Sequence, residues 1–436
     1  MRLPHRKNRS INVLKYLFFT LPLFWVLGLE QIVPMVFIGI AGGFLLDTNR
    51  KISIPRPLRF ALIFLLWQVF SLVSIDRDTN YVVFAKNFIT FLVGWVSAVI
   101  IANGINNEVE AKEFLKSVIW FIVISDIIGL LYLLNILPES FNSLSKPIIQ
   151  PILGHSQFVQ DNVLLRSIGK TSTKFGDLTV SRVSLVFLFP TGAALAYLIV
   201  IPLFIFFRKI FARQFLTILL AVASLVILAF TFTRSAYIIL PTSILIALFV
   251  RKQYRVPKIV KPAVVLGVFF AASANIFLFR SEIVNIYQAL FVNIRKDSLT
   301  SRVEVYKETI HSLNEHLLVG WGTPRAIDSV QLAPLGTHNE YLFIIYSFGI
   351  MGFIFYSLFW VSMWKRALLG MDFRINEGRE NTFQVAVFIS FLNIFLNGFV
   401  QGNEFDLSNA ILVWMIFGLI CSPLYYDKRR KISQFR

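Results

Sequence analysis

One histidine and one arginine lie at the edges of long apolar runs, where polar side chains are costly unless they have a structural or functional role. His338 and Asn339 end a polar stretch and begin a long apolar one, in the segment GTHNEYLFIIYSFGIMG. Arg234 lies between two apolar runs, in the segment TFTRSAY. Histidine has the unperturbed pKa that suits a general base near neutral pH. An arginine at membrane depth is costly and is usually paired or functional. Both residues are therefore candidates for chemistry.

Each candidate also has an ordinary structural interpretation. His338 and Asn339 would serve equally well as a helix cap or an interfacial pair. Arg234 would need no functional role if its guanidinium extended to the lipid headgroups. Arg166 and Arg182, which precede another apolar run, would each pass as a solvated loop charge. The three arginines gain weight together because all lie on the same predicted membrane face as His338, against the bias of basic residues in this chain.

Two glycines, Gly349 and Gly352, follow His338 in the same apolar stretch. If a regular helix began at His338, a rotation of ~100° per residue would bring Leu342, Ile345 and both glycines within about 40° of it. Small residues let a neighbouring membrane helix approach closely. The spacing therefore predicts a helix that packs tightly in a bundle and keeps His338 rigidly placed for proton transfer.

The elements that must position these residues are membrane helices. The chain is 56% hydrophobic and only 15% charged, whereas soluble domains carry about a quarter charged residues. A bilayer crossing needs ~20 apolar residues, and the apolar runs lie at about 13–29, 31–46, 58–75, 82–102, 117–137, 183–207, 215–233, 236–250, 262–280, 339–363, 383–402 and 409–426. We predict an all-α polytopic membrane protein with about twelve transmembrane helices and two long outer-face loops.

The basic residues give these helices an orientation. With the N-terminus inside, most of the 42 Lys and Arg residues fall in inner loops and tails, as the positive-inside bias requires. Both termini are then cytoplasmic, and the net charge of +18 reflects topology and not a nucleic-acid partner. The predicted order is transmembrane helices 1–5 at 1–137, an outer loop at 138–182, transmembrane helices 6–9 at 183–280, a large outer loop at 281–337, and transmembrane helices 10–12 with a cytoplasmic tail at 338–436.

Several other chemistries lack a matching sequence pattern. The chain has no CxxC, HExxH, Walker A or GxGxxG motif, and its single cysteine lies in the last apolar run. His311 and His316 are five residues apart, which is off a shared helical face. We predict no metal site and no cofactor. Asp126, Asn393 and Asn397 lie inside apolar runs, and we expect them to make structural hydrogen bonds within the bundle.

The spacing of His338-Asn339, nine residues, Gly349, two residues and Gly352 resembles the signature of bacterial O-antigen ligases and Wzy-type O-antigen polymerases. TFTRS resembles the Thr-x-Ser-Arg element of that family, with Thr233 in place of the usual serine. The resemblance is specific over about residues 230–352 and topological elsewhere.

Two further segments carry the same resemblance. SLTSRVEVYKETI, followed by a Gly-Trp-Gly at 320–322, resembles the segment that leads into the histidine loop of the family. The region from Arg166 to Phe175 resembles the arginine-containing segment that precedes a helix, but it lacks the usual Pro-Asn. The choice between Arg166 and Arg182 therefore stays open.

The resemblance implies a metal-independent membrane glycosyltransferase. Such an enzyme moves a glycan from a polyprenyl-diphosphate carrier, such as undecaprenyl diphosphate, to an acceptor on the outer face of the bacterial inner membrane. This reaction belongs to the assembly of surface polysaccharide, including lipopolysaccharide, and other assembly proteins are expected partners. A polymerase would use another lipid-linked glycan repeat as acceptor, and a ligase would use the lipid A-core. The sequence leaves both open.

The resemblance also implies roles for individual residues. His338 would take the proton of the acceptor hydroxyl or hold the diphosphate beside it. Arg234, with Arg166 or Arg182, would neutralise the diphosphate through bidentate hydrogen bonds. Three further candidates for holding the diphosphate, the sugar or the histidine are Arg302, Asn339 and Tyr341.

A transporter or flippase of a lipid-linked glycan is the competing function. Transporters are expected to show repeated halves, broken helices and binding residues near the membrane midplane. In this chain the unusual basic residues and His338 gather at one predicted membrane face, which favours chemistry at the membrane surface.

Overall fold

In a computed structural model of the chain, the described residues are 9–26, 32–46, 52–74, 81–134, 136, 170–175, 178–183, 187, 190–204, 214–252, 296–323, 335, 338–372, 382–401 and 407–425. Most of them are helical. The helices are α1 (Arg9–Val26), α2 (Val33–Leu46), α3 (Arg56–Phe70), α4 (Tyr81–Gly104), α5 (Glu108–Leu133), α6 (Pro190–Val200), α7 (Gln214–Phe230), α8 (Arg234–Lys252), α9 (Lys296–Ser312), α10 (Glu340–Asp372), α11 (Thr382–Gly398) and α12 (Leu407–Cys421).

Helices make up most of the described part of the apolar runs of the sequence. The ninth run, at 262–280, lies outside the described residues. Within the described ranges, four helical segments are long and apolar enough to cross a membrane, namely Arg56–Val73, Val83–Gly104, Glu108–Leu133 and Glu340–Met371, and six other apolar helices are shorter. The mainly helical membrane-protein class is therefore confirmed, while the count of about twelve crossings and the assignment of 138–182 and 281–337 as outer loops stay predictions.

One β-hairpin corrects the prediction of an all-α chain. Strand β1 (Lys170–Phe175) pairs antiparallel with β2 (Leu178–Val183), and Thr171 lies opposite Arg182 in the register. Threonine and valine favour strands, and a two-residue Gly-Asp connection is typical of a tight hairpin. The local signal was therefore present in the sequence, inside the segment expected to be an outer loop. Strand β2 lies against α6 and α7.

Buried polar side chains tie the membrane helices together. Asp126 of α5 accepts hydrogen bonds from the Tyr197 hydroxyl of α6 at 2.7 Å and from the Ser224 hydroxyl of α7 at 2.8 Å. Asn393 of α11 donates to the Leu198 carbonyl of α6 and accepts from the Ser243 hydroxyl of α8. A polar group in an apolar interior is costly unless it is hydrogen-bonded, so these contacts specify which helices are neighbours. The structural role expected of Asp126 and Asn393 is confirmed.

Replacing Asp126 with alanine is expected to lower the free energy of unfolding by about 2–3 kcal/mol, because it leaves the buried Tyr197 and Ser224 hydroxyls without their acceptor. Thermal and denaturant unfolding of the purified protein in detergent would measure this loss. Ser117→Ala is the matched control, since the Ser117 hydroxyl donates to the Phe114 carbonyl of its own helix. Equal stability of the two variants would contradict the cross-linking role of Asp126.

Helix α10 carries the segment singled out in the sequence, and it lies against α3, α11 and α12. The polar helix α9, which falls within the predicted outer loop at 281–337, also contacts α10. These neighbours determine where His338 is placed.

Candidate functional site

His338 precedes helix α10 and has a left-handed backbone conformation with φ of 65°. Asn339 caps the helix, since its Oδ1 accepts from the Leu342 N–H at 2.9 Å. The Asn339 side-chain amide also donates to the Phe399 carbonyl at the end of α11, at 3.0 Å. The helical rotation that related His338 to Leu342 and Ile345 does not apply, because His338 lies outside the helix.

The backbone is strained at two places, and both lie in the segments that pointed to function. Among the described residues other than glycine, only Phe232 and His338 have positive φ, at 49° and 65°. Phe232 lies two residues before Arg234. Such conformations are uncommon for side chains of this size and cost about 1–3 kcal/mol each. Strain of this kind is concentrated at functional sites in proteins, so it supports both segments as parts of a site.

Helix α9 holds His338 from the other side. The Tyr306 hydroxyl of α9 donates to the His338 carbonyl at 2.9 Å. Arg302 lies one turn earlier on the same helix. Burial, followed by the positive charge of Arg302, lowers the pKa of His338 to about 4. The imidazole is therefore neutral at pH 7 and able to accept a proton, and an anion bound nearby would raise its pKa and make it a stronger base.

Gly349 breaks α10 into two arms, which we call the short arm (residues 340–348) and the long arm (residues 350–372). Its backbone angles, φ of 67° and ψ of −173°, are non-helical and lie in a region that essentially only glycine adopts. Glu340 and Tyr356 are hydrogen-bonded across this break, although 16 residues of straight helix would separate them by ~24 Å. The short arm therefore folds back along the long arm, and the prediction of one regular helix with a glycine strip is wrong.

Aromatic rings confirm the folded-back arrangement. The Tyr341 ring of the short arm lies 6.5 Å from the Tyr356 ring and 6.4 Å from the Trp360 ring, both of which belong to the long arm. Phe64 of α3 contacts one ring from each arm, with centroids 5.4 Å from Phe348 and 5.2 Å from Tyr356.

A loop at residues 317–322 satisfies the backbone groups that the break exposes. Trp321 N–H donates to the Tyr346 carbonyl at 2.9 Å, and Gly322 N–H donates to the Ser347 carbonyl at 2.7 Å. In the opposite direction, Ile350 N–H donates to the Leu317 carbonyl at 2.8 Å. Helix ends in an apolar setting need such partners, so the loop and the break form one unit.

Glycines allow the close contact between this loop and the break. Gly320 has φ of 79°, and a Cβ there would lie 2.4 Å from the Gly349 nitrogen. A Cβ on Gly349 would lie 2.3 Å from the Leu318 carbonyl oxygen. Gly352 faces α3, where a Cβ would lie 3.1 Å from Trp67 Cδ1. The Trp67 indole N–H donates to the Phe348 carbonyl at 2.8 Å, so α3 also takes part in holding the break.

Arg234 is the first residue of α8 and is half-buried. The preceding turn is held by Thr233, whose hydroxyl donates to the Pro190 carbonyl of α6 at 3.4 Å, and by Thr231, whose hydroxyl oxygen accepts from the Thr233 N–H at 3.3 Å. Within the described part of the chain, the Arg234 guanidinium has no hydrogen-bond or ion-pair partner. The structure brings Arg302 to His338 and leaves the placement of Arg234 beside them as a prediction.

Residues 219–357 match the family model described as O-antigen ligase. The match contains Arg234, Arg302, His338 and both glycines of the α10 motif. The chain carries an O-antigen ligase family domain. The resemblance stated from the sequence is thus confirmed over the segment where its motifs were specific. Comparison with curated proteins gives no match for the chain.

Of the two arginines that precede the O-antigen ligase domain in the sequence, the structure describes Arg182 but not Arg166. Arg166 lies outside the described residues. Arg182 belongs to β2, the strand that lies against α6 and α7. Helix α7 in turn ends shortly before Arg234. Their shared contact with a substrate stays a prediction.

Asn339 and Tyr341 have anchoring roles that the sequence interpretation did not give them. The Tyr341 hydroxyl donates to the Phe395 carbonyl of α11 at 3.0 Å, and its ring lies 4.4 Å from the Phe399 ring. Together with the bond from Asn339 to the Phe399 carbonyl, this contact fixes the short arm to the end of α11. Their proposed contact with sugar or histidine is not tested by these bonds.

Three residues at the site were missed by sequence reasoning: Glu340, Tyr306 and Trp67. Glu340 resembles an ordinary first-turn acid, and Tyr306 and Trp67 resemble packing aromatics, so no local signal separates them from their neighbours. As for metal ligands, no three His, Cys, Asp or Glu side chains are grouped together in the described ranges.

Proposed function

We propose that this protein transfers a glycan from a polyprenyl-diphosphate carrier to an acceptor hydroxyl during surface-polysaccharide assembly, as an O-antigen polymerase or an O-antigen ligase. The match to the O-antigen ligase family supports the reaction class. The observation that carries the proposal is the neutral His338, which is held on a strained backbone next to Arg302. A neutral base beside a fixed cation is what removal of a proton next to an anionic leaving group requires.

The proposed reaction is a single displacement at the anomeric carbon of the donor glycan. The acceptor oxygen forms a bond to this carbon while the bond from the carbon to the carrier phosphate oxygen breaks. The electron pair of the broken bond remains on the departing polyprenyl diphosphate. The acceptor proton passes to the imidazole of His338, which later releases it to the diphosphate or to water.

Arginine side chains are proposed to neutralise the diphosphate as it departs. A guanidinium is always charged and binds phosphate oxygens through two parallel hydrogen bonds. Arg302 is the one whose charge acts on His338. Arg234 and either Arg182 or Arg166 would complete the diphosphate site, and Asn339 and Tyr341 would border the sugar. The donor is already activated by its diphosphate, so the reaction needs no nucleotide.

We further propose that the enzyme is a multi-pass protein of the bacterial inner membrane, with cytoplasmic termini and its site on the outer face. The span-length apolar helices support the membrane location, and the distribution of basic residues supports the orientation. Other proteins of polysaccharide assembly are the proposed partners.

Reconstitution would test the function and separate its two forms. The purified protein in liposomes is supplied with a polyprenyl-diphosphate glycan repeat, with or without lipid A-core. A ladder of longer lipid-linked glycans would identify a polymerase, and a glycan joined to lipid A-core would identify a ligase. Movement of the donor across the bilayer without a new glycosidic bond would overturn the proposal in favour of a transporter.

Substitution of Arg234 by lysine is expected to lower kcat/KM for glycan transfer about 10- to 100-fold, because lysine keeps the charge but loses the planar pair of donors. The assay is the liposome reaction with increasing donor concentration. Arg366→Lys is a control of the same chemistry, since Arg366 donates to the Ile420 and Cys421 carbonyls at the end of α12. Unchanged transfer by Arg234→Lys would remove Arg234 from the diphosphate site.

A further inference from the structure

Glu340 is the first residue of helix α10, but the helix does not depend on its carboxylate for capping. Asn339 already caps the helix, and an acidic side chain in a first turn interacts well with the helix dipole while exposed to water. Glu340 is instead 6% exposed. Its Oε1 accepts a hydrogen bond from the Tyr356 hydroxyl of the long arm, and Tyr356 is 2% exposed. A buried carboxylate destabilises the folded protein unless a hydrogen-bond donor such as Tyr356 partners it.

The position of the Glu340–Tyr356 pair allows it to control where His338 lies. Glu340 lies two residues after His338, at the start of the short arm, while Gly349 forms the hinge at the other end. The loop at residues 317–322 holds the hinge through backbone bonds, but those bonds lie eight or more residues from His338. The Glu340–Tyr356 bond connects the two arms near their open side, where a small change in angle moves His338 most.

We propose that Glu340 and Tyr356 are positioning residues that latch the short arm to the long arm and thereby set the location and burial of His338. The contribution to catalysis rests on the proposed function, whereas the placement of His338 does not. The latch differs from the hydrogen bonds of Asn339 and Tyr341, because those bonds join the short arm to α11.

The latch predicts how His338 titrates in four variants. Opening the arms gives the imidazole more water, and relief of burial raises a histidine pKa. Among the described residues, Arg302 and Tyr306 of α9 also act on His338, and neither changes in these variants. Loss of the negative charge at Glu340 would by itself lower the pKa of His338, so a rise in Glu340→Ala reports on position and not on charge.

The experiment is an NMR titration of the full-length protein in detergent with ¹³C-labelled histidine, with the His338 signal assigned from a His338→Gln variant. Tyr356→Phe and Glu340→Ala are expected to move the His338 midpoint upward from about 4 towards the ordinary histidine value. Glu340→Gln keeps an acceptor oxygen for Tyr356 but loses the negative charge, so its His338 midpoint should not rise above the wild-type value. Tyr425→Phe is the matched control, since its buried hydroxyl donates to the Ala367 carbonyl at the far end of the long arm at 3.0 Å.

Glycan transfer supplies the second measurement. Tyr356→Phe is expected to lower kcat at least about tenfold with KM nearly unchanged, because donor-binding groups remain while the base is misplaced. Identical His338 titrations in Tyr356→Phe, Glu340→Ala and Tyr425→Phe would overturn the latch. Full transfer by a His338→Ala variant would instead overturn the proposed function, and the titration would still decide the latch.

Discussion

A His338→Ala variant is expected to lose glycan transfer by about 100- to 10,000-fold, the range over which a positioned general base contributes to rate. The imidazole is neutral, lies beside Arg302 and is the proposed proton acceptor, and alanine offers no group that takes its place. Donor binding should change little, since the arginines and the apolar surface remain. The measurement is kcat in the liposome assay, together with donor affinity from a binding experiment.

The fold should survive this change. The hydrogen bond that the structure shows at position 338 is made by the backbone, whose carbonyl accepts from Tyr306, and alanine retains that carbonyl. His311→Ala is the control, because His311 is exposed on α9 and belongs to the same family domain. Transfer at the wild-type rate by a correctly inserted His338→Ala protein would exclude His338 as the base.

The pH dependence follows from the sign of the pKa change. Because burial and Arg302 hold the pKa of His338 at about 4, the free enzyme keeps its base neutral through the mildly acidic range. The acid limb of kcat/KM should therefore lie near pH 4, and the rate constant should fall about tenfold per pH unit below it. Arg302→Gln removes the repulsion of the imidazolium, so its acid limb should lie at higher pH. An acid limb near the ordinary histidine pKa in the wild-type enzyme would contradict the buried placement.

The sequence predicted the helices and the buried polar contacts because both depend on local or general signals. Apolar runs of sufficient length form helices in a membrane whatever their partners. A carboxylate such as Asp126 must find donors in an apolar interior. The β1–β2 hairpin also had a local signal, in its threonines, valines and Gly-Asp connection, but it was outweighed by the helical character of the whole chain.

The geometry around His338 was not predictable in the same way. The sequence around Gly349 has an uninterrupted helical pattern, and the glycine alone does not distinguish close packing from a break. The groups that stabilise the break are distant along the chain, such as Trp67, which lies 281 residues from the Phe348 carbonyl it binds. Glu340 was unremarkable for the same reason, since its partner comes within reach only after the short arm folds back.

The break at Gly349 should be the position in α10 least tolerant of a side chain. Its φ of 67° and ψ of −173° lie where an L-residue is strained by about 1–3 kcal/mol. A Cβ would also lie 2.3 Å from the Leu318 carbonyl oxygen, which is backbone and not a movable side chain. With an overpacking cost of about 1–3 kcal/mol, Gly349→Ala is expected to lower the free energy of unfolding by about 2–6 kcal/mol, or to straighten α10 and pull His338 away from α9.

Two other glycines make this expectation specific. A Cβ on Gly39 of α2 would have no atom within 4 Å, so Gly39→Ala should be neutral or slightly stabilising in the helix. A Cβ on Gly352 would lie 2.5 Å from Phe348 Cβ and 3.1 Å from Trp67 Cδ1, but the backbone of Gly352 is helical, unlike that of Gly349. Gly352→Ala should therefore fall between the two. Unfolding in detergent measures the order, and glycan transfer should be lost in Gly349→Ala even where the protein remains folded. If Gly349→Ala were as stable and active as Gly39→Ala, the folded-back short arm would not be the structure that positions His338.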